Sequence, residues 1–260
     1  MRDGRSPPRR WLALGEVGST NSVAMEAARA GDPGPLWITA ERQSAGRGRR
    51  GRPWSSEVGN LYASLLLLDP ASLSSLGQLP LVIAVGMRRG FSILSGLDAD
   101  RVRIKWPNDI LVDGAKCAGI LVESERTLDG RQAVVIGCGI NVELCPDDAP
   151  YPVTTVRRAG SAASVRDVFL ALADGVESAL DLWRSGRHFS DIRTEWLAGA
   201  AGLGEPCRVN LPDRSLEGRF ADLDASGRLV LETQDARRLE ISAGDVFLLP
   251  RQRQREQSAQ

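Results

Sequence analysis

A chain of 260 residues that is 42% hydrophobic and 25% charged has room for one large folded unit plus a small one, and the composition of a globular protein. Its 33 basic and 33 acidic side chains cancel, which argues against bulk electrostatic capture of nucleic acid or of an anionic membrane, since both need a basic excess. A single histidine, His188, and the lack of any apolar run near the roughly 20 residues of a bilayer span almost exclude histidine triads, histidine-rich metal sites and a membrane helix.

Residues 1–10 are basic and proline-containing with no apolar segment, so they predict a disordered tail and not a secretory signal. The cytoplasm is the expected compartment. Residues 11–14 predict a strand. Asn21 and Ser22 can cap a helix that runs to Ala30 and stops at Gly31-Asp32-Pro33-Gly34-Pro35. Residues 36–41 and 61–68 are apolar runs of strand length. Between them, residues 42–59 show no periodicity and form a long, basic, glycine-rich loop. Residues 78–94 have helical spacing, with Pro80 tolerated near the start. Residues 102–106 predict a strand, and 110–123 a hairpin turned at Asp113-Gly114, a pair suited to the positive φ angles of a tight turn. Residues 133–142 predict another strand. Residues 164–183 predict an amphipathic helix capped by Ser164, with Asp167 in its first turn. Beyond Gly202, five short strand candidates (207–211, 216–222, 229–233, 238–241 and 246–249) alternate with turn residues, the pattern of a small barrel of the SH3-like or OB-like kind. Residues 251–260 are polar and predict a frayed end. Cys117, Cys138, Cys145 and Cys207 include no Cys-x-x-Cys pair and read as buried free thiols in a reducing compartment.

Three constellations carry chemistry. Gly46-Arg47-Gly48-Arg49-Arg50-Gly51 formally matches a dinucleotide-binding turn, but that turn needs a strand immediately before it and a helix immediately after. Arg42-Gln43-Ser44-Ala45 and Arg52-Pro53-Trp54 stand there instead. Arg47, Arg49, Arg50 and Arg52 put four guanidinium groups within six residues, on a backbone that glycine lets approach a ligand closely. Without an anion such a loop repels itself, and an anion would order it as a lid. A solvated basic loop and an RNA-binding arginine–glycine segment are the alternatives. The second constellation is Lys105-Trp106-Pro107-Asn108-Asp109, followed by the return strand from Lys116 through Gly119 to Glu123. A lysine fixed on a strand offers a precisely held charge for a carboxylate or an α-phosphate; Asp109 could bind Mg²⁺ or orient a base. The third is Gly137-Cys138-Gly139-Ile140-Asn141-Val142. Glycines inside an apolar strand suggest close approach by a ligand or another strand, and Asn141 could read an adenine edge, although a bulge with a structural asparagine serves equally.

Together these pieces resemble the biotin–protein ligase family. Ser19-Thr20-Asn21, Gln43 with residues 45–52 and Trp54, the Lys105-to-Asp109 run, the Lys116-to-Glu123 run and the Gly137-to-Val142 run agree with the family in order and spacing over residues 11–145. The small β-rich unit agrees with its C-terminal domain. The resemblance implies an α+β fold: a mixed β-sheet catalytic domain flanked by helices over 11–203, then a small SH3-like β-barrel domain over 204–250. It implies activation of biotin by ATP, with Mg²⁺, to biotinyl-5′-AMP, and transfer to a lysine of a biotin carboxyl-carrier protein such as that of acetyl-CoA carboxylase. By position it assigns Ser19, Thr20, Asn21, Gln43, Gly46, Arg47, Gly48, Arg49, Lys116 and Gly119 to biotin. It assigns Arg49, Trp54, Asn108, Lys116 and Asn141 to the adenylate, catalytic charge to Arg47, Arg49 and Lys116, and Mg²⁺ or the orientation of Lys116 to Asp109. Cys138 stands where the family more often has an aliphatic residue. Too few residues precede the first strand for the winged helix-turn-helix of the repressor-type members, so the expectation is a monofunctional enzyme without a nucleic-acid or membrane partner, monomeric or homodimeric. The rivals are a lipoate or octanoate ligase of the same superfamily, whose His-Asp pair is not found here, and a nucleic-acid-binding module built on the arginine loop.

Overall fold

The computed structural model describes residues 9–249. The larger part is built on a seven-stranded sheet. Its strands are β1 (Trp11–Val17), β2 (Leu36–Gln43), β3 (Leu61–Leu68), β4 (Val102–Lys105), β5 (Asp109–Val112), β6 (Ala115–Arg126) and β7 (Gln132–Ile140). They lie in the order β1-β2-β3-β7-β6-β5-β4. β1 and β2 run parallel and every other pair antiparallel, so the sheet is mixed, as expected. The helices are α1 (Thr20–Arg29), α2 (Leu73–Leu76), α3 (Leu79–Ser92), α4 (Val165–Trp183) and α5 (Phe189–Ala198).

Side chains alternate across a strand, and the two faces of this sheet differ. Trp37, Leu65 and Ile136 share one core with Val82 and Phe91 of α3 and Phe169 and Val176 of α4. On the other face Ile38, Leu66 and Val135 meet Ala24 and Ala28 of α1. Beyond α1 that second face changes character: Ser64, Gly137, Gly139 and Gly119 replace large apolar side chains, and a cavity opens there. α3 and α4 touch backbone to backbone. A methyl group on Gly86 would lie 2.6 Å from the Val176 Cα, and one on Gly90 2.4 Å from the Ala171 carbonyl. α4 begins with the predicted cap: Ser164 Oγ accepts from the Asp167 amide at 3.2 Å and the Asp167 carboxylate accepts from the Ser164 amide at 3.0 Å.

Residues 189–198, given no element above, form α5, with Phe189, Ile192 and Trp196 as its buried stripe. Two members of the expected N-terminal tail are anchored. Arg9 forks onto Glu177 at 2.6 and 2.8 Å, and Arg10 pairs with Asp32 at 2.7 Å. The expected tail at 251–260 lies outside the described residues, as do residues 1–8. The C-terminal unit consists of β8 (Pro206–Asn210), β9 (Ser215–Leu223), β10 (Leu229–Glu232), β11 (Arg238–Ile241) and β12 (Asp245–Leu248), close to the five predicted strands. The SH3-like barrel expected there is not closed. The order is β11-β10-β9-β8-β12, an antiparallel sheet with β11 and β12 at opposite edges. The three-residue turn at 242–244 delivers β12 to β8 instead of β11. This sheet docks on the larger part: the Trp106 indole donates to the Gly227 carbonyl at 3.3 Å, and Arg193 donates to the Leu223 carbonyl at 2.7 Å. No described helix is long and apolar enough to cross a membrane. All four cysteines are free, and burial pushes Cys117 and Cys138 up to about 12, so both are protonated packing thiols.

Candidate active site

Directly opposed residues of antiparallel strands project from the same face. One rung crosses the sheet from Lys105 to Asp109, Gly119, Gly139 and Tyr62, and all five line the cavity. The next rung on this face carries Leu121, Gly137 and Ser64, of which Leu121 and Gly137 line the cavity, and the next carries Glu123, Val135 and Leu66 behind it. The floor is therefore polar and small toward the end where α1 begins, bare in the middle, and cationic at β4.

At the α1 end Thr20, Asn21, Gln43 and Ser64 form an uncharged, mutually bonded cluster, bordered by the Arg47–Glu123 ion pair. The Gln43 side-chain carbonyl accepts from the Thr20 amide at 2.8 Å and its hydroxyl at 3.1 Å. Ser64 Oγ lies 2.8 Å from Thr20 Oγ1 and 2.6 Å from Asn21 Oδ1. Asn21 Nδ2 donates to Glu123 at 2.7 Å. Gly137 is glycine because Asn21 occupies its side-chain space; a methyl group there would stand 2.5 Å from Asn21 Oδ1.

Trp54 covers the middle. A methyl group on Gly139 would meet its ring at 2.7 Å and one on Gly119 at 3.2 Å, so the strand glycines admit an aromatic lid that comes from the chain itself. Beside it, Lys116 Nζ lies 2.8 Å from Asp109 Oδ1, over the Trp54 ring at 5.4 Å and the Tyr151 ring at 5.5 Å. A strap at 151–156 holds this lysine: the Lys116 amide donates to the Pro152 carbonyl at 2.8 Å, and the Thr154 amide to the Lys116 carbonyl at 3.0 Å.

The arginine loop closes on itself. The Gly48 amide donates to the Arg52 carbonyl at 2.8 Å and the Trp54 amide to the Gly46 carbonyl at 3.0 Å. The expected self-repulsion is relieved by carboxylates elsewhere in the chain. Arg47 forks onto Glu123 at 3.1 and 2.9 Å. Arg50 and Arg52 converge on Asp245 of β12, and Arg49 stands 3.9 Å from the same carboxylate. Arg49 also donates to Asn108 at 3.0 Å and to the Gly244 carbonyl at 3.2 Å. Burial pulls the Arg49 guanidinium below its usual pKa. Burial raises the Asp245 carboxyl, but the Arg52 hydrogen bond and the three arginine charges outweigh it and leave it below the usual range.

Of the residues singled out from sequence, Ser19, Thr20, Asn21, Gln43, Arg47, Gly48, Arg49, Trp54, Asn108, Asp109, Lys116 and Gly119 all line the cavity. Gly46 and Asn141 do not. Gly46 sits behind the wall, where a methyl group would meet Ser56 Oγ at 2.3 Å. Asn141 is buried and donates to the Thr154 carbonyl at 3.2 Å; it fixes the strap instead of facing the cavity. Glu123, Tyr151 and Asp245 were not given roles by the sequence, because their partners are remote along the chain. Asp109 is committed to Lys116, Asp245 to arginines, and no group of three or more His, Cys, Asp or Glu able to hold a metal occurs among the described residues. Asp109 and Asp245 are the carboxylates that line the cavity, a donor set that fits a magnesium ion bound chiefly through substrate phosphates, with Asp109 as a candidate ligand.

Residues 17–141 match the model of the Biotin/lipoate A/B protein ligase family and residues 202–249 that of the Biotin protein ligase C terminal domain. A biotin–[acetyl-CoA-carboxylase] ligase of Paracoccus denitrificans is 36% identical over 243 residues, 90% of this chain and 98% of that protein. The chain belongs to the biotin protein ligase family. Another member, the bifunctional ligase/repressor of Bacillus spizizenii, is 34% identical over 89% of this chain and 72% of its own length. The solved structure of the Aquifex aeolicus ligase in complex with biotin and ATP superposes with a TM-score of 0.78 at 25% identity, covering 93% of this chain and all of that one. That ligase family shares both parts of the fold, the large mixed sheet and the small C-terminal one.

Proposed function

We propose that this cavity performs two successive reactions: adenylation of biotin by MgATP with release of pyrophosphate, and transfer of the biotinyl group to one lysine of a biotin carboxyl-carrier protein such as that of acetyl-CoA carboxylase. The observation that carries the reading is Lys116, held at 2.8 Å by Asp109 between two aromatic rings, at the junction of an uncharged polar end and an arginine-rich end. A ring urea matches Thr20, Asn21, Gln43 and Ser64, which offer donors and acceptors without charge. Its carboxylate reaches Lys116, which neutralises it against the α-phosphate. Arg47 and Arg49 shield the acyl phosphate, and closure of the 46–54 loop keeps water from it. No protein nucleophile is required; catalysis is positioning and charge stabilisation. Magnesium enters as part of the nucleotide substrate.

The zero net charge supports a protein that works without nucleic acid or membrane; a cytoplasmic location and a monomer or homodimer complete the reading. The deciding experiment is incubation of the full chain with biotin, MgATP and a carrier domain. The expected result is one biotinyl mass increment on one carrier lysine. Modification by lipoate and not by biotin would overturn the substrate assignment, and a salt-dependent gel shift at physiological ionic strength with no modification would replace the enzyme reading by nucleic-acid binding.

A further inference from the structure

We infer that the exterior of this chain is inert to the acyl phosphate formed in its cavity: no surface side chain accepts a biotinyl group as a stable amide, so the amine that ends the reaction comes from the carrier alone. The inference rests on the proposed adenylation reaction and concerns what its product can attack. Of the 33 basic residues only Lys105 and Lys116 are lysines, and all the others are arginines. Both lysines line the cavity, and the Lys116 side chain keeps only 15% of its exposure. No lysine is left for the outer surface.

On that surface arginine takes the place of lysine. Arg208 pairs with Glu217, Arg228 with Glu240 and Arg237 with Asp235, and the Arg237 side chain is 80% exposed. A guanidinium stays protonated and delocalised, so it carries charge and hydrogen bonds without offering a nucleophilic lone pair. A surface lysine, with a pKa of about 10.4, always leaves a fraction of free amine near neutral pH, and a free lysine amine is the group that the carrier presents. Thiols offer no stable alternative. Cys117, Cys138 and Cys207 are buried. Cys145 lies against Arg158 at 3.0 Å, and a thioester formed there would hydrolyse or exchange.

Acylation of an amine by the adenylate is a single balanced exchange. The amine nitrogen forms a bond to the acyl carbon, the bond from that carbon to the phosphate oxygen breaks, its electron pair leaves on AMP, and the amine proton passes to water. An ammonium has no lone pair with which to begin. Asp109 holds Lys116 in that form at 2.8 Å, and the Lys105 ammonium rests over the Phe247 ring at 5.6 Å. Burial pulls Lys105 below its usual pKa, so of the two it is the one whose acylation would show first. An adenylate that escapes the lid therefore meets acceptors on other proteins and none on the exterior of the chain that released it.

The test mixes the full chain with serum albumin, a lysine-rich bystander, and adds excess synthetic biotinyl-5′-AMP. Hydroxylamine then strips esters and thioesters, and peptide mass analysis maps the biotin amides that remain. Albumin is expected to be labelled on lysines, and the chain on no side chain, with any amide confined to an α-amino group. The R187K/R237K variant changes two exposed positions that do not line the cavity. It is expected to gain biotin at 187 and 237 under the same conditions while biotinylating the carrier at the unsubstituted rate. An amide on Lys105, Lys116 or any other native side chain overturns the inference. So does an R187K/R237K chain that stays unlabelled, because the exterior would then be protected by a cause other than its lack of lysine. A separate arm supplies biotin and MgATP without the synthetic intermediate: failure of the chain to form biotinyl-5′-AMP there overturns the functional reading, an outcome that the labelling pattern cannot mimic.

Discussion

Trp54 needs a surface without side chains, and the paired strand glycines Gly119 and Gly139 supply it. Gly139→Val would drive a branched side chain into the indole. The expected outcome is displacement of Trp54 and a loss of biotin affinity of roughly tenfold or more, measured by calorimetric titration. Arg49 tethers the loop to both Asn108 and the Gly244 carbonyl, so Arg49→Gly is expected to leave adenylate formation largely intact while releasing biotinyl-5′-AMP faster, read by a filter-retention assay. Unchanged retention would remove Arg49 from the lid. At this scale the sequence is informative where a residue violates its local context. Glycines within an apolar strand and a lysine just after a turn are such violations. It is silent where the partner is distant: Arg47 and Glu123 are 76 residues apart, and no local pattern links them. Asn141 is ambiguous in the other direction, since an asparagine that bonds a neighbouring strap and one that faces a ligand look alike in one dimension.

Among the elements, the helices of the large part are written in spacing and caps, and the capping box at Ser164 is formed as predicted. Ser164→Ala is expected to lower stability by about 1 kcal/mol, visible as a small fall in Tm. The α3–α4 contact is tighter. With the Gly86 and Gly90 positions closed by facing backbone, Gly90→Val is expected to cost about 2–3 kcal/mol and to be seen in urea midpoints without loss of the site's geometry. α5 had its signal in Phe189, Ile192 and Trp196, a stripe short enough to pass for loop packing. Strand identity was legible from apolar runs, but strand order was not, because pairing is decided by non-local contacts. For the same reason five correctly placed short strands did not reveal an open C-terminal sheet: closure depends on which neighbour each edge strand finds.

Across the molecule, the two parts meet at the arginine loop. Asp245 on the small sheet answers three guanidinium groups of the large one, so the loop that covers the cavity is anchored from the other domain. Asp245→Asn would leave those arginines poorly matched. Trypsin is expected to cut after Arg47, Arg49 or Arg50 roughly tenfold faster in the variant, with biotin and MgATP restoring protection. The acid response has a fixed sign. Asp245 is depressed below the usual carboxylate value in the folded chain, so its contribution is complete above about pH 4, the unfolded value, and is lost as the pH falls through the lower folded value. Calorimetry below pH 4 should resolve separate melting of the two parts; a single transition throughout would show that the remaining contacts, Trp196 against Phe220 and the Trp106 and Arg193 hydrogen bonds, and not this carboxylate, couple them.

The succession Tyr62, Gly139, Gly119, Asp109, Lys105 is also a ruler. Strand separation is a constant of hydrogen-bonded sheets, and four intervals of about 4.8 Å cannot be stretched by a side-chain substitution. On the proposed reading the acid arm of the vitamin spans two fixed places, the α1 end of this sheet and Lys116 on β6. An analogue whose acid arm is one carbon shorter would hold its ring in place and leave its carboxylate about 1 Å from where Lys116 meets it, a misplacement on the order of a hundredfold in rate. Chain-length selection would then follow from the spacing between the α1 end and Lys116 that the sheet backbone sets.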